Sequence, residues 1–300
     1  MNSFKFYMAK EKFMATYQNA TELSKLTLGK TTEYCSEYNP DLLQGVPRSL
    51  NRDDLALTND NLPFTGEDIW YGYELSWLNA KGKPVVAVAE FRFKCTSPNI
   101  IESKSFKLYL NSFNQSTFAN NEAVEAALMK DLSATSGAKA SVKLFDVEQC
   151  APLAIKPSAQ DTICIDNEDV SIDNYQFSAQ LLTQAQQQNT KSEVVTQKLV
   201  SHLLKSNCLI TNQPDWASVY IDYKGKPINH AVLLKYLISF RQHNEFHEQC
   251  VERIFCDLKK YCQLDELTVF ARYTRRGGLD INPFRSTHIS SAPNGRTLRQ

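Results

Sequence analysis

Glycine is scarce in this chain. An average composition of roughly 7% would place about 21 glycines in a chain of this length. The 300 residues hold 10. No two stand at G-x-G spacing, so neither the dinucleotide fingerprint nor the P-loop is present, and any bound nucleotide is held by other means. Net charge is also missing: 33 Lys and Arg balance 33 Asp and Glu. That balance argues against a tight grip on nucleic acid, whose affinity comes from neutralising many phosphates, although it leaves room for a local basic patch. No long apolar run occurs. Val85 to Ala89 is the longest, far short of the ~20 residues of a membrane span, so no membrane association is expected. The first thirty residues carry Lys5, Lys10, Glu11, Lys12 and Glu22 and no apolar block, so no secretory signal is expected. None of the eight cysteines forms a C-x-x-C pair. Free thiols in a reducing cytoplasm are the expectation.

Periodicity supplies the architecture. Residues 1–65 read as an irregular N-terminal arm, with Gly45 to Arg52 extended. Ile69 to Leu78 and Val85 to Phe93 flank Lys81-Gly82-Lys83-Pro84 and predict a β-hairpin. Phe106, Tyr109, Leu110 and Phe113 share one helix face. A second helix, capped by Asn120 or Asn121, runs through Val124, Ala127, Leu128 and Leu132 to Gly137. Ala140 to Phe145 alternates like a strand. The Gln-rich stretch 183–193 reads as a linker, and Val194 to Lys205 as a possible helix. Asn207 to Thr211 then predicts a short strand and Ala217 to Tyr223 a half-buried one, followed by a second Lys-Gly-Lys-Pro at 224–227. Helix faces follow at Leu233/Tyr236/Leu237/Phe240 and Val251/Ile254/Phe255/Leu258, and Leu267 to Tyr273 is a strand with which Leu279 to Phe284 can pair. Both halves therefore offer strand, strand, helix, helix, strand. The expected fold is α+β, with two domains at 66–182 and 194–300, each a helix pair on an antiparallel sheet.

Several residue groups can carry chemistry, and each has a simpler structural reading. Cys208 stands among polar residues, with Asp215 seven positions on. A thiol and an acid at the two ends of one strand–turn unit can face one pocket, whereas an inert strand cysteine is the simpler reading. His243 and His247 are four apart, but H-E-x-x-H fails because Val251 follows His247-Glu248, and no metal centre is expected. His247 and Glu248 are either a satisfied core pair or a ligand-reading pair. Glu102-Ser103-Lys104 opens a helix. A serine there is a cap, while the helix N-terminus with Lys104 and Lys107 can attract an anion and Glu102 can accept a donor pair. Arg272, Arg275 and Arg276 with Gly277-Gly278 form a basic tip or a solvated hairpin.

Four motifs, in order, carry a family resemblance. They are Glu102-Ser103-Lys104-Ser105-Phe106-Lys107-Leu108-Tyr109, Ser206-Asn207-Cys208-Leu209 with Asp215, Phe246-His247-Glu248-Gln249-Cys250, and Tyr273-Thr274-Arg275-Arg276-Gly277-Gly278-Leu279-Asp280. Together they resemble the NADPH-dependent 7-cyano-7-deazaguanine reductases of queuosine biosynthesis, in their long, two-domain form. The resemblance runs from about Leu28 to Arg285 and is weakest at 150–195. It implies a tandem T-fold, a cytoplasmic homodimer, NADPH as cofactor, and the free base 7-cyano-7-deazaguanine as substrate, with no direct contact to nucleic acid. It also implies roles: Cys208 as nucleophile and Asp215 as proton donor; Ile101, Glu102, Ser103, His247 and Glu248 around the deazaguanine; Ser103, Lys104, Arg276 and Gly277 on the cofactor. A cysteine-dependent nitrile hydrolase or hydratase, and a non-catalytic purine- or pterin-binding module, are the rival functions.

Overall fold

A computed structural model describes residues 34–186 and 193–300. The first 27 residues, to which the sequence assigns no job, lie outside the described residues, as does most of the Gln-rich linker.

One antiparallel sheet spans both halves. The first half contributes β2 (Thr65–Leu78), β3 (Pro84–Lys94) and β5 (Ser141–Phe145); the second contributes β7 (Val195–Asn207), β8 (Pro214–Gly225), β9 (Leu264–Tyr273) and β10 (Leu279–Ser286). β6 (Thr162–Cys164), although it lies within 66–182, pairs with β7, and Ile165 and Leu182 beyond it pack in the second core. Their order is β5-β3-β2-β10-β9-β8-β7-β6, and only β6 pairs parallel. A separate two-stranded ladder joins β1 (Gly45–Pro47) to β4 (Asn99–Ile101), so the expected arm is tied to the first half. β10 is the seam. It pairs with β9 through Phe284↔Phe270 and with β2 from Leu279↔Gly72 to Ser286↔Thr65. The seam passes close over Gly66 (φ +150°), where a Cβ would stand 2.0 Å from the Phe284 carbonyl oxygen.

All the long helices lie on one face. α2 (Ser103–Asn111) packs on β2, α3 (Asn121–Ser136) on β5, α4 (His230–Ser239) on β7 and α5 (His247–Tyr261) on β9 and β10; α1 (Ser49–Arg52) is a single turn. Their apolar stripes are those of the sequence: Phe106, Tyr109, Val251, Ile254, Phe255 and Leu258 have no exposed surface, nor has Phe113 in the turn that follows α2. Asn120 caps α3 by accepting from the Ala123 amide, and Gly137 closes it in the left-handed region. Two cores result, one under each helix pair, with a smaller cluster of Ile69, Tyr71, Phe270, Phe284 and Ala292 on the opposite face.

Four sequence expectations are corrected. Gly45 to Arg52 is extended only over β1, because the backbone turns into α1 at Ser49–Arg52. Val194 to Lys205 is not a helix, because Val195 to Asn207 pairs along its length with β8 and buries Leu199 and Leu204 in the second core. Asn207 to Thr211 is not a strand: β7 ends at Asn207 and the chain turns through 208–213, with Asn212 at φ +55°. The two Lys-Gly-Lys-Pro turns are not equivalent. The first joins β2 to β3, whereas the second follows β8 and leads into α4.

Buried charge pins the seam. Arg48 and Arg285 meet Asp68 at 2.5 and 2.8 Å, and Arg52 and Arg285 meet Glu252 at 2.7 and 2.8 Å, with every one of these side chains at most 2% exposed. The arm (Arg48, Arg52), β2 (Asp68), α5 (Glu252) and β10 (Arg285) are thereby joined. Breaking such a buried set by removing one partner is strongly destabilising, because it leaves uncompensated charge.

Candidate active site

A cavity of about 320 Å³ opens where the two halves meet. Five chain segments bring side chains to it; four of them carry the sequence motifs, and the fifth is β2, which gives Trp70.

The first is the end of β4 and the start of α2, which give Ile101, Ser103, Lys104 and Lys107. Glu102 is not on the cavity wall. It is fully buried and caps α2, its carboxylate accepting from the Lys104 and Ser105 amides at 2.7 Å each. An N-cap acid satisfies orphan amides and favours the positive end of the helix dipole. The sequence offered Ser103 for that cap; the structure uses the residue before it. Burial still raises the Glu102 pKa against the pull of those two amides.

The second is the loop between β7 and β8, which gives Cys208, Gln213 and Asp215. The Cys208 amide donates to the Gln213 carbonyl at 2.8 Å, and its carbonyl accepts from the Asn212 amide at 3.1 Å. This tight turn brings the half-exposed thiol and the buried Asp215 to one cavity.

The third is the N-terminus of α5, which gives Glu245, Phe246, His247 and Glu248. His247 Nε2 lies 3.8 Å from Asp215, and its ring meets Tyr273 edge-on at 4.0 Å. Burial, helped by Arg276, lowers its pKa despite Asp215, so it is a neutral imidazole at neutral pH. Glu248 is 2% exposed. Burial, followed by the charge of Asp68, pushes its pKa up to about 8, so it holds a proton at neutral pH. Glu245 behaves oppositely. Burial disfavours its charge, but Arg253 and then His243 outweigh that and hold it at about 2. His243 Nε2 lies 3.0 Å from Glu245, whereas His247 faces Asp215. The two histidines therefore point to different partners and do not share a metal.

The fourth is the turn from β9 to β10, which gives Thr274, Arg276 and Gly277. Arg276 donates to the Asp215 carboxylate and to Gln213 Oε1 (2.6 Å). Gly277 sits at φ +59°, and a Cβ there would come within 3.1 Å of Lys107. The basic tip is an exposed turn at Arg275, Arg276 and Gly277, but its arginines are held by specific partners. Arg275 lies 3.5 Å over the Tyr73 ring, and buried Arg272 donates to the Pro293 and Gly295 carbonyls. Trp70, Leu279 and Ile281 complete the apolar wall. Phe246, Thr274 and Leu279 lie within the quoted motifs but carried no assigned role, and Trp70, Ile281 and Gln213 had no sequence signal beyond strand or core patterning. Their position depends on β10 crossing between halves.

An unpaired thiol beside an acid, a neutral imidazole and a protonated buried carboxyl, with lysine, arginine and a helix N-terminus at the rim, suits nucleophilic addition to a small aromatic ligand and binding of an anionic one. Residues 34–144 match the family model described as nitrile reductase, 7-cyano-7-deazaguanine-reductase N-term, and residues 214–292 match that described as QueF-like protein. An NADPH-dependent 7-cyano-7-deazaguanine reductase from Colwellia psychrerythraea is 73% identical over 287 residues, which is 96% of this chain and 100% of the relative. The chain belongs to this family of nitrile reductases. Tandem T-folds fit its two matched regions and its continuous sheet. A solved apo archaeosine synthase QueF-Like is 18% identical, covers 34% of this chain and all of its own, and has a TM-score of 0.29, too low to carry any argument. Among the described residues no helix is long and apolar enough to cross a membrane.

Proposed function

We propose that this chain reduces the nitrile of 7-cyano-7-deazaguanine to a primary amine at the cavity between its halves, through a thioimide on Cys208. The observation that carries the reading is the convergence of Cys208, Asp215, His247 and Glu248 with the rim cations Lys104 and Arg276 on one cavity.

Reduction of a nitrile to an amine takes four electrons, carried by two hydrides, and two protons. NADPH supplies one hydride per molecule, so two are consumed. A nitrile carbon accepts hydride poorly, and addition of sulfur converts it to a better acceptor. The attacking species is the thiolate. In this reading Asp215, which Arg276 holds, takes the Cys208 proton and returns it to the nitrile nitrogen as the C–S bond forms. The thiol proton thus ends on nitrogen, and the product of this step is a neutral thioimide. Hydride addition at that carbon, then cleavage of the C–S bond, regenerates Cys208 and leaves an imine. A second hydride at carbon and protons at nitrogen complete the amine. The imine must be shielded from water until the second hydride arrives.

Substrate recognition falls to Glu248 and its neighbours. Adjacent N–H donors on the guanine edge suit one carboxylate accepting two parallel bonds. Glu248 reaches the cavity for this; Glu102 acts from behind the wall, by fixing the start of α2 and with it Ser103 and Lys104. The residues fit the cofactor as well. Lys104 and Arg276 provide cationic partners for phosphates, Gly277 permits close backbone approach, and the missing G-x-G shows only that a Rossmann site is not used. A homodimer and a cytoplasmic setting, with no contact to nucleic acid, complete this reading.

Intact-protein mass spectrometry tests the covalent step. Mixing with 7-cyano-7-deazaguanine without NADPH should add one substrate mass to the wild type and none to Cys208→Ala. An adduct that persists in that variant removes Cys208 from the mechanism.

A further inference from the structure

The second-half edge of the sheet carries a side-chain cluster that nitrile chemistry does not use. β6 is three residues long and pairs with β7 only through Thr162↔Lys198, Ile163↔Leu199 and Cys164↔Val200. The next turn, Ile165–Asn167, brings Asp166 against β7 where its register with β8 slips between Ser201 and Leu204. His202 lies inside that slip. One ligand atom each from Cys164, Asp166 and His202 (a sulfur, a carboxylate oxygen and a ring nitrogen) lie within 4.8 Å of one another, the one such three-residue group among the described residues. Cys164 is exposed and the other two are half-buried, so solvent reaches the group.

Two of the three are held from behind. Asp166 accepts from Ser201 Oγ at 2.6 Å and from the His202 amide at 2.9 Å. His202 Nδ1 is paired at 2.8 Å with Ser218 Oγ, whose residue is 2% exposed. Outer hydrogen bonds of this kind orient metal-ligating carboxylates and imidazoles and fix the ring tautomer. Pinning of the irregular strand by Asp166 explains the Ser201 and amide contacts. It gives no role to the thiol that converges on the same point from β6.

We propose that Cys164, Asp166 and His202 form a binding site for a zinc-type divalent cation that clamps β6 to β7. Thiolate, imidazole and carboxylate with a water in the fourth position form a donor set suited to zinc, whereas calcium and magnesium take oxygen ligands. Tetrahedral donors at zinc bond lengths stand roughly 3.5 Å apart, so about an ångström of side-chain adjustment closes the set. Binding releases the thiol proton of Cys164 to solvent.

Cobalt substitution tests this on the full chain after chelator treatment. One equivalent of Co²⁺ should bind with thiolate-to-metal charge-transfer absorption, and Zn²⁺ should displace it. Cys208→Ala, which removes the cavity thiol, should keep the signal. Cys164→Ser should lose the charge-transfer band while retaining nitrile reduction and its far-ultraviolet circular dichroism. His202→Gln and Ser218→Ala should weaken binding, the latter by roughly 10- to 100-fold. Absence of binding at micromolar Co²⁺, an unchanged band in Cys164→Ser, or loss of the band in Cys208→Ala overturns the site. The metal-binding results do not bear on whether the cavity reduces nitriles, so the two readings fail separately.

Discussion

Glu248 links substrate recognition to stability, and Glu248→Gln separates the two. The carboxyl is wholly buried, and burial with the nearby Asp68 charge pushes its pKa from 4.5 to about 8. In the unfolded chain the group ionises near its ordinary value. Between those two values the folded state holds a proton that the unfolded state has lost, so this group's contribution to stability falls as pH rises from about 4.5 to 8. At one pKa unit per 1.36 kcal/mol, the deficit relative to a neutral isostere reaches about 3 kcal/mol at pH 7. Glu248→Gln should therefore match the wild type near pH 4.5 and gain several degrees in Tm by pH 7. It should also lose deazaguanine binding, because a carboxamide has one acceptor oxygen and an NH2 donor in place of the second, and so cannot accept two parallel N–H bonds. Wild-type affinity carries the same signature, weakening about tenfold per pH unit below 8, because binding as a carboxylate requires loss of the proton. Thermal melts and calorimetric titrations from pH 5 to 9 measure both effects. A Tm difference that does not change with pH, or a Glu248→Gln protein that binds normally, would refute the reasoning.

Other outcomes follow from the same geometry. Arg276→Gln should raise the KM for NADPH by about 10- to 100-fold, the value of one charge-assisted hydrogen bond, with a smaller effect on NADH; equal losses for the two cofactors would remove Arg276 from the 2′-phosphate. Glu252→Ala leaves Arg48, Arg52 and Arg285 short of a partner and should lower unfolding stability by about 3–5 kcal/mol in urea titrations. A loss below 1 kcal/mol would show that Asp68 alone balances the cluster. Gly66→Ala places a methyl 2.0 Å from the Phe284 carbonyl and should separate β10 from β2, read as increased hydrogen exchange at Ile281 and Phe284. Unchanged protection there would mean that the seam yields without opening.

Much of the fold was legible because local patterning and tertiary structure agree. The Phe106/Tyr109/Leu110/Phe113 and Val251/Ile254/Phe255/Leu258 stripes each mark a buried helix face, and Asn120 and Gly137 mark the ends of α3. Val195 to Asn207 was misread because its Leu, Lys and Ser content suits either state; only pairing with β8 decides it. The single sheet was not legible at all, since β10 lies beside β2, some 200 positions earlier, and no local pattern encodes that neighbour. At the site, the motifs named Cys208, Asp215, His247, Glu248 and Arg276, and all of them meet at the cavity. They did not distinguish a carboxylate that lines a pocket from one that caps a helix, as Glu102 does. Nor did they show that Arg276 reaches Asp215, because that contact joins a loop and a turn 61 residues apart.

The stoichiometry of NADPH consumption tests the central claim most directly. Mixing the protein with 7-cyano-7-deazaguanine and following NADPH absorbance against amine formed should give two NADPH oxidised per product, with none oxidised by Cys208→Ala. Amide, acid or ammonia appearing without NADPH oxidation, or bound nitrile with no turnover, would contradict the account.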